Sequence, residues 1–216
     1  MKYYFIIIPI IIGLFFGILF SYNFEENSTN SSILNKSNLL EGTTILGDPD
    51  AKITIVEFGD YQCTFCYKFH NDTMKKIYEK YIEKGEVNFV YKDFPLNGES
   101  SIMASEASYC AQKQGKFWAY HDILYNNWNG ENTGWITQNA LLMFANDSKL
   151  NIDEFNECMN NSEFRQKVLR NERFAQEIGI DATPSFLIFS GNEVYRIIGA
   201  QSFDKFEQVF QEFRFT

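Results

Sequence analysis

Two cysteines two residues apart, Cys63 and Cys66, stand where a strand-like pattern gives way to a helix-like one. The stretch Glu57-Phe58-Gly59-Asp60-Tyr61-Gln62-Cys63-Thr64-Phe65-Cys66 reads as the end of a buried strand, a turn and the first turn of a helix. Cys63 then falls beside the unpaired N–H groups of the helix start, whose partial positive charge favours a thiolate. A thiolate is the species that attacks disulfides. Cys66, one turn further on, is close enough to form a disulfide with Cys63. The local chemistry therefore points to a redox dithiol in which Cys63 attacks and Cys66 resolves. A structural disulfide and a zinc site remain open as other uses of C-x-x-C. Haem attachment needs a His directly after the second Cys, and Tyr67 stands there. A closed zinc site takes four ligands. His70 completes C-x-x-C-x-x-x-H, but no fourth ligand is apparent, and no metal is assigned.

The N-terminal end constrains location. Tyr3 to Tyr22 is an uncharged run with Pro9, two glycines and Ser21 as its interruptions. At about 1.5 Å per residue, twenty residues cover about 30 Å, the thickness of a bilayer core. Lys2 precedes the run and Glu25 and Glu26 follow it, so the positive-inside bias keeps the N-terminus cytoplasmic and sends the rest outside. The rival is a cleaved signal peptide, but Phe20-Ser21-Tyr22-Asn23 is a poor cleavage site, and an uncleaved anchor is favoured. Gly13 and Gly17 have the spacing that pairs membrane helices, though scattered glycines explain it more simply. Asn23 to about Glu41, rich in Asn, Ser and Glu, reads as a flexible tether. N-x-S/T sequons occur at Asn27, Asn30, Asn35, Asn71, Asn146 and Asn160, as chance allows in an Asn-rich chain.

The folded part is expected from about Thr43, with Gly47-Asp48-Pro49-Asp50 as a turn inside it. Ile53 to Phe58 has the apolar, β-branched run of a strand buried on both faces. Met74, Ile77, Tyr78, Tyr81 and Ile82 recur at helical spacing, with Gly85 as the stop, and Val87 to Tyr91 is the next strand. That is a β-α-β unit with a parallel pair. From Glu99 to about Ile180 the period is helical throughout. Helices are predicted through Ala104–Ala111, over Phe117–Tyr125, near Thr137–Ala145, from the capping box Asn151-x-x-Glu154, and from Ser162 to Gly179. Strands return at Ser185–Phe189 and Val194–Ile198 around a Gly191-Asn192 turn, and Ser202 caps a last helix. The 216 residues carry a net charge of −9, with no basic stripe to neutralise phosphates, which argues against nucleic-acid binding.

The order β-α-β, helices, β-β-α, with the motifs Ile55–Cys66, Val90–Pro95, Ala107–Trp118 and Ala182–Phe186, resembles the DsbA-type thiol–disulfide oxidoreductases of the thioredoxin superfamily. The resemblance covers roughly residues 43 to 214. It implies an α/β thioredoxin fold interrupted by an all-helical domain, here preceded by an N-terminal transmembrane helix. The expected division is anchor 1–22, tether 23–42, thioredoxin fold 43–98 and 181–216, and helical insertion 99–180. It makes Cys63 the exposed nucleophile and Cys66 the buried resolving thiol, with the redox disulfide in place of any cofactor. Pro184 corresponds to the family's cis-proline, where the residues alone also allow an ordinary trans proline. Thr183, Pro184 and Phe65 would border a groove for substrate polypeptide.

Glu57 is a carboxylate in an apolar strand, costly to bury while charged. An acid at this place in thioredoxin-like proteins moves a proton to and from the buried cysteine. Lys92 is its expected charge partner; the plainer alternative leaves Glu57 at an edge and Lys92 in solvent. Where the family's strongest oxidases carry Pro-His between the cysteines, this chain has Thr64-Phe65, so a less depressed thiol pKa is expected. If Cys63 and Cys66 are the active pair, Cys110 and Cys158 remain, and an oxidising compartment favours a structural bridge between them over two buried thiols. His121 reads as a packing or surface residue. The implied partners are thiol-containing extracytoplasmic proteins and a quinone-linked membrane protein that reoxidises the pair.

Overall fold

The computed structural model describes residues 36–214. The expected membrane span at 3–22, its glycine spacing and the sequons at Asn27, Asn30 and Asn35 lie outside them. Among the described residues no helix is long and apolar enough to cross a membrane.

A four-stranded sheet, in the order β2-β1-β3-β4, organises the chain. β1 (Ile53–Gly59) and β2 (Val87–Asp93) run parallel, while β3 (Ser185–Ser190) and β4 (Glu193–Ile198) complete it antiparallel. The segment between β1 and β2 is one long helical run. It is α-helical at Thr64–Phe69 (α2), π-helical at His70–Met74, α-helical at Lys75–Ile77 (α3) and π-helical at Tyr78–Ile82. On one sheet face, Ile53, Ile55, Phe89, Tyr91, Phe186 and Ile188 pack against Phe69, Ile77 and Tyr81 of this run. Phe206 and Phe210 of the last helix, Phe203–Arg214, join them there. On the other face, Val56, Phe58, Val90, Leu187 and Phe189 pack against Ala175, Ile178 and Ile180. Both faces of β1 are covered, which is why its sequence shows no polar alternation.

Side chains in a strand alternate faces, so register decides who meets whom. Glu57 pairs with Tyr91, and Lys92 pairs with Phe58. Glu57 therefore points into the face that holds the redox helix, and Lys92 into the opposite one. The expected Glu57–Lys92 ion pair does not form, because the two are one residue out of register. The charges that act on the buried Lys92 are those of Asp93 and Glu41, and burial itself lowers its pKa.

Five helices fill the long connection between β2 and β3: α4 (Glu99–Lys113), α5 (Phe117–Asn126), α6 (Gln138–Asp147), α7 (Ile152–Asn160) and α8 (Arg165–Glu177). Ala104, Ala107, Ser108 and Ala111 form the buried small-residue face of α4. Asn151 caps α7 by accepting from the backbone N–H groups of Asp153 and Glu154. Ser162, expected to open α8, has φ 47° and cannot act as an extended N-cap; the helix starts three residues later, after Phe164.

The tether expectation also needs correcting at its end. Lys36–Leu40 form a short helix (α1), and Leu39 is fully buried with Val56 and Phe58. Leu46 exchanges two backbone hydrogen bonds with Phe89, of 2.8 and 2.9 Å. The folded unit thus begins before Thr43, where an apolar leucine follows a polar run.

Cys110 of α4 and Cys158 of α7 form a disulfide across a sequence separation of 48 residues. Closing a loop of that length contributes about 4 kcal/mol in the chain-entropy limit. Replacing both cysteines by Ala should lower the free energy of unfolding by up to about that amount in a denaturant titration. An unchanged midpoint would show that the helices of the insertion hold together without the bridge.

Candidate active site

Asp60, Tyr61 and Gln62 connect β1 to α2. Asp60 is fully buried, and its carboxylate accepts four hydrogen bonds. Oδ1 takes the Gln62 N–H (2.8 Å) and the Ser101 hydroxyl (2.6 Å). Oδ2 takes the backbone N–H (2.7 Å) and side-chain amide (3.1 Å) of Asn97. Burial raises the Asp60 pKa, and these hydrogen bonds oppose the rise. The Gln62 side chain donates to the Ser101 hydroxyl at 2.9 Å and accepts from the Asn132 N–H at 3.1 Å. Trp128 donates its indole N–H to the Gln62 carbonyl at 2.8 Å. The turn is therefore clamped by the start of α4 on one side and by the 127–132 loop on the other.

Cys63 is the N-cap residue of α2, with φ −62° and ψ 124°. Its thiol donates to the Thr183 carbonyl at 3.4 Å. The Thr183–Pro184 peptide is cis, and the Thr183 contact lays the segment before β3 against the sulfur. This contact leaves Cys63 only 5% exposed, less than the open nucleophile the resemblance implied, while Cys66 is 0% exposed. Cys63 is still the member of the pair that touches solvent. Phe65, in contrast, is 56% exposed, beside a groove lined also by Lys68, Thr73, Ala200, Gln201 and Ser202.

The two sulfurs sit in opposite electrostatic settings. The hydrogen bond from the Cys66 thiol does most to lower the Cys63 pKa, from 9.0 to about 6. Burial works against the shift, and the Thr183 side chain and the backbone N–H groups of Cys66 and Phe65 add to it. Those N–H groups belong to the helix start, as the sequence suggested. Burial pushes the Cys66 pKa well up, helped by its bond to Cys63 and by the charge of Glu57. The Asp60 N–H, 3.5 Å from the Cys66 sulfur, is a weaker opposing influence.

Glu57 is 2% exposed, and its Oε1 has no hydrogen-bond partner. Burial, followed by the nearby Cys63 charge, raises its pKa well above the carboxylate range. The alternative of an edge-exposed Glu57 is excluded. Gly59 is required beside it, because a Cβ there would lie 2.5 Å from the Tyr91 ring and 3.1 Å from Glu57 Oε1. Tyr91 in turn stacks on Tyr61, which also contacts Tyr125 and His121, with ring centroids 5.0 to 5.4 Å apart.

Five residues at the site had no signal in the sequence. Glu131, in the loop of the helical insertion, accepts the backbone N–H of Thr64 at 2.7 Å. It occupies one of the free donors of α2 and sets a carboxylate next to Cys63. Ser101, Asn97, Trp128 and Asn132 were equally hidden, since each reaches the turn from at least 35 residues away. Lys92, on the far side of the sheet, is not part of the site.

The arrangement is that of a dithiol with one thiol easily ionised and one not, beside a buried proton-bearing carboxyl. Residues 39–211 match the family model described as Thioredoxin. The chain is 30% identical to disulfide bond formation protein D of Bacillus subtilis (strain 168), over 69% of this chain and 68% of that one. It is 31% identical to the probable disulfide bond formation protein D of Bacillus anthracis, over 68% and 69% respectively. Among solved structures, oxidised BdbD from Bacillus subtilis superimposes with a TM-score of 0.72 at 28% identity, covering 81% of this chain and 94% of that one. Wolbachia pipientis alpha-DsbA1 gives 0.73 at 27% identity, covering 85% and 95%.

With its folded pKa below the unfolded one, Cys63 stabilises the reduced protein increasingly as pH rises from about 6 towards 9. That contribution is lost as pH falls through about 6. An ultraviolet thiolate titration of the reduced protein should show a midpoint near pH 6 that vanishes in Cys63→Ser. Glu131→Gln, which removes a neighbouring negative charge, should move that midpoint lower. A midpoint that stays put would mean that solvent screens Glu131 from the sulfur.

Proposed function

The chain belongs to the thioredoxin family and is a DsbA-type protein thiol–disulfide oxidoreductase, and from that premise we propose that it donates disulfides to extracytoplasmic proteins through Cys63 and Cys66. The observation that carries the direction is the stabilised Cys63 thiolate. Whatever stabilises the reduced form makes the disulfide a stronger oxidant.

In this reading a substrate thiolate attacks Cys63 Sγ of the Cys63–Cys66 disulfide. The S–S bond breaks, a mixed disulfide forms, and the electron pair leaves on Cys66. Cys66, whose pKa is high, takes up a proton, and Glu57 is the buried carboxyl placed to supply it. A second substrate thiolate then attacks the substrate sulfur of the mixed disulfide. Cys63 leaves as a thiolate, a good leaving group because its pKa is low. The substrate has lost two electrons, and the dithiol holds them. A membrane redox partner would remove them and restore the disulfide; the protein needs no other cofactor in this scheme. Thr183 and cis-Pro184, pressed against Cys63, would hold substrate backbone, and Phe65 would offer it an apolar contact.

Residues 1–22 would anchor the protein in the membrane with the N-terminus cytoplasmic, placing the thioredoxin parts, 43–98 and 181–216, and the insertion, 99–180, outside. The second reading, a reductase or isomerase on the same fold, draws on Thr64-Phe65 standing between the cysteines in place of Pro-His, and on Glu131, which occupies the Thr64 N–H at the start of α2. A zinc-holding dithiol finds less support. Among the described residues, the cysteines join no group of three metal-ligating side chains.

Equilibration with glutathione buffers and counting of free thiols separates donor from reductase. A potential at or above roughly −200 mV is expected, whereas one near roughly −270 mV would make the protein a reductase. In stopped-flow exchange with a dithiol peptide, Glu57→Gln should slow the steps that protonate or deprotonate Cys66 and spare attack at Cys63. Equal slowing of both would remove Glu57 from the proton path.

A further inference from the structure

The chain has only two histidines, His70 and His121, and the fold brings both to one cavity. This cavity, of about 330 Å³, lies behind the redox helix and opens to the surface past Lys75, Glu79 and Asp122. One donor atom each of His70, His121 and Asp122 lies within 4.8 Å of the other two. His70 Nε2 is 3.7 Å from Asp122 Oδ1. Ligands of a tetrahedral zinc ion, bound at 2.0–2.1 Å, stand about 3.4 Å apart. The three side chains need to close by only about an ångström, and Asp122, more than half exposed, is free to make that move.

We propose that His70, His121 and Asp122 form a binding site for a borderline-soft divalent cation such as Zn²⁺, with water in the remaining position. Two imidazoles and one carboxylate suit Zn²⁺ or a neighbouring transition metal rather than Mg²⁺ or Ca²⁺, which take oxygen ligands. His121 is already oriented as a ligand: its Nδ1 is 3.0 Å from the hydroxyl of the buried Tyr61. That bond occupies Nδ1, leaves Nε2 as the nitrogen for a metal, and fixes the ring as an outer partner does in metal sites. His70 is held flat against Tyr125, at a centroid distance of 4.7 Å. Lys75 lines the same opening and opposes a cation, but its exposed ammonium is bonded to Asn71 and Asp122 and Glu79 outweigh it in charge.

The site would be joined to the dithiol through the chain on both sides. His70 follows Cys66 by four residues, where the helix turns π-helical, and Tyr61 precedes Cys63 by two. A bound ion would tie the redox helix to α5.

The experiment is a calorimetric Zn²⁺ titration of the full chain carrying Cys63→Ser and Cys66→Ser, with Cys110–Cys158 oxidised, so that no thiol competes. One equivalent should bind, with a rise in melting temperature. His70→Gln and Asp122→Asn should each weaken binding about tenfold or more. Asp122 is exposed, so its variant decides the matter if His70→Gln fails to fold. No stoichiometric binding, or unchanged affinity in a folded variant of either residue, overturns the proposal. The outcome is independent of redox direction, because the titrated protein has no active thiols.

Discussion

Burial of β1 on both faces is the constraint from which the rest follows. A strand with helices above and below can hold a polar side chain only where that group has work to do or a partner to meet. β1 carries two, Thr54 and Glu57, and both have a side-chain oxygen without a hydrogen bond. Its polarity is otherwise deferred to the C-terminal end, where Gly59 and Asp60 hand the chain to the redox helix. The dithiol sits at this end because the parallel β1–β2 pair requires a crossover helix to start there. The Asp60 network then fixes the turn, since a buried carboxylate with four donors has one low-energy arrangement.

The functional asymmetry of the cysteines comes from three residues of helix geometry. Cys63, at the cap, faces free N–H groups and the Cys66 thiol; Cys66, one turn in, faces Glu57, Tyr91 and Tyr125 and no solvent. The same helix that stabilises charge on one sulfur buries the other where charge is costly. Glu131 and Thr183 meet this end of the helix from outside, one taking the Thr64 N–H, the other covering the Cys63 sulfur.

Much of this was legible in the chain itself. Strand β1, the cysteines at a helix start, the capped helix after Asn151 and the hairpin at Gly191 each announce themselves within a few residues, because local propensity and period determine them. The strand and helix order, with the residues that carry it, indicated the family. What failed depended on register or on distant contacts. Glu57 and Lys92 resemble partners because one sits in an apolar strand and the other ends the next, and only the register, Glu57 with Tyr91 and Lys92 with Phe58, shows them on opposite faces. Ser162 looked like a cap until its φ is known. Leu39 reads as part of a tether because the four residues before it, Asn35 to Asn38, are polar. Glu131 and Trp128 have no local pattern, and His121 was read as packing because nothing in one dimension places it beside His70.

The spacing of the four cysteines also bears on how the chain is made. Synthesis runs from the N-terminus, so Cys63 and Cys66 emerge together, long before Cys110 and then Cys158. The first pair is held near by three residues of chain whatever the rest of the fold has done. The second pair meets only when α4 and α7 have docked, 48 residues apart in sequence. Each pair thus answers to a different requirement, proximity along the chain for one and a folded helical insertion for the other.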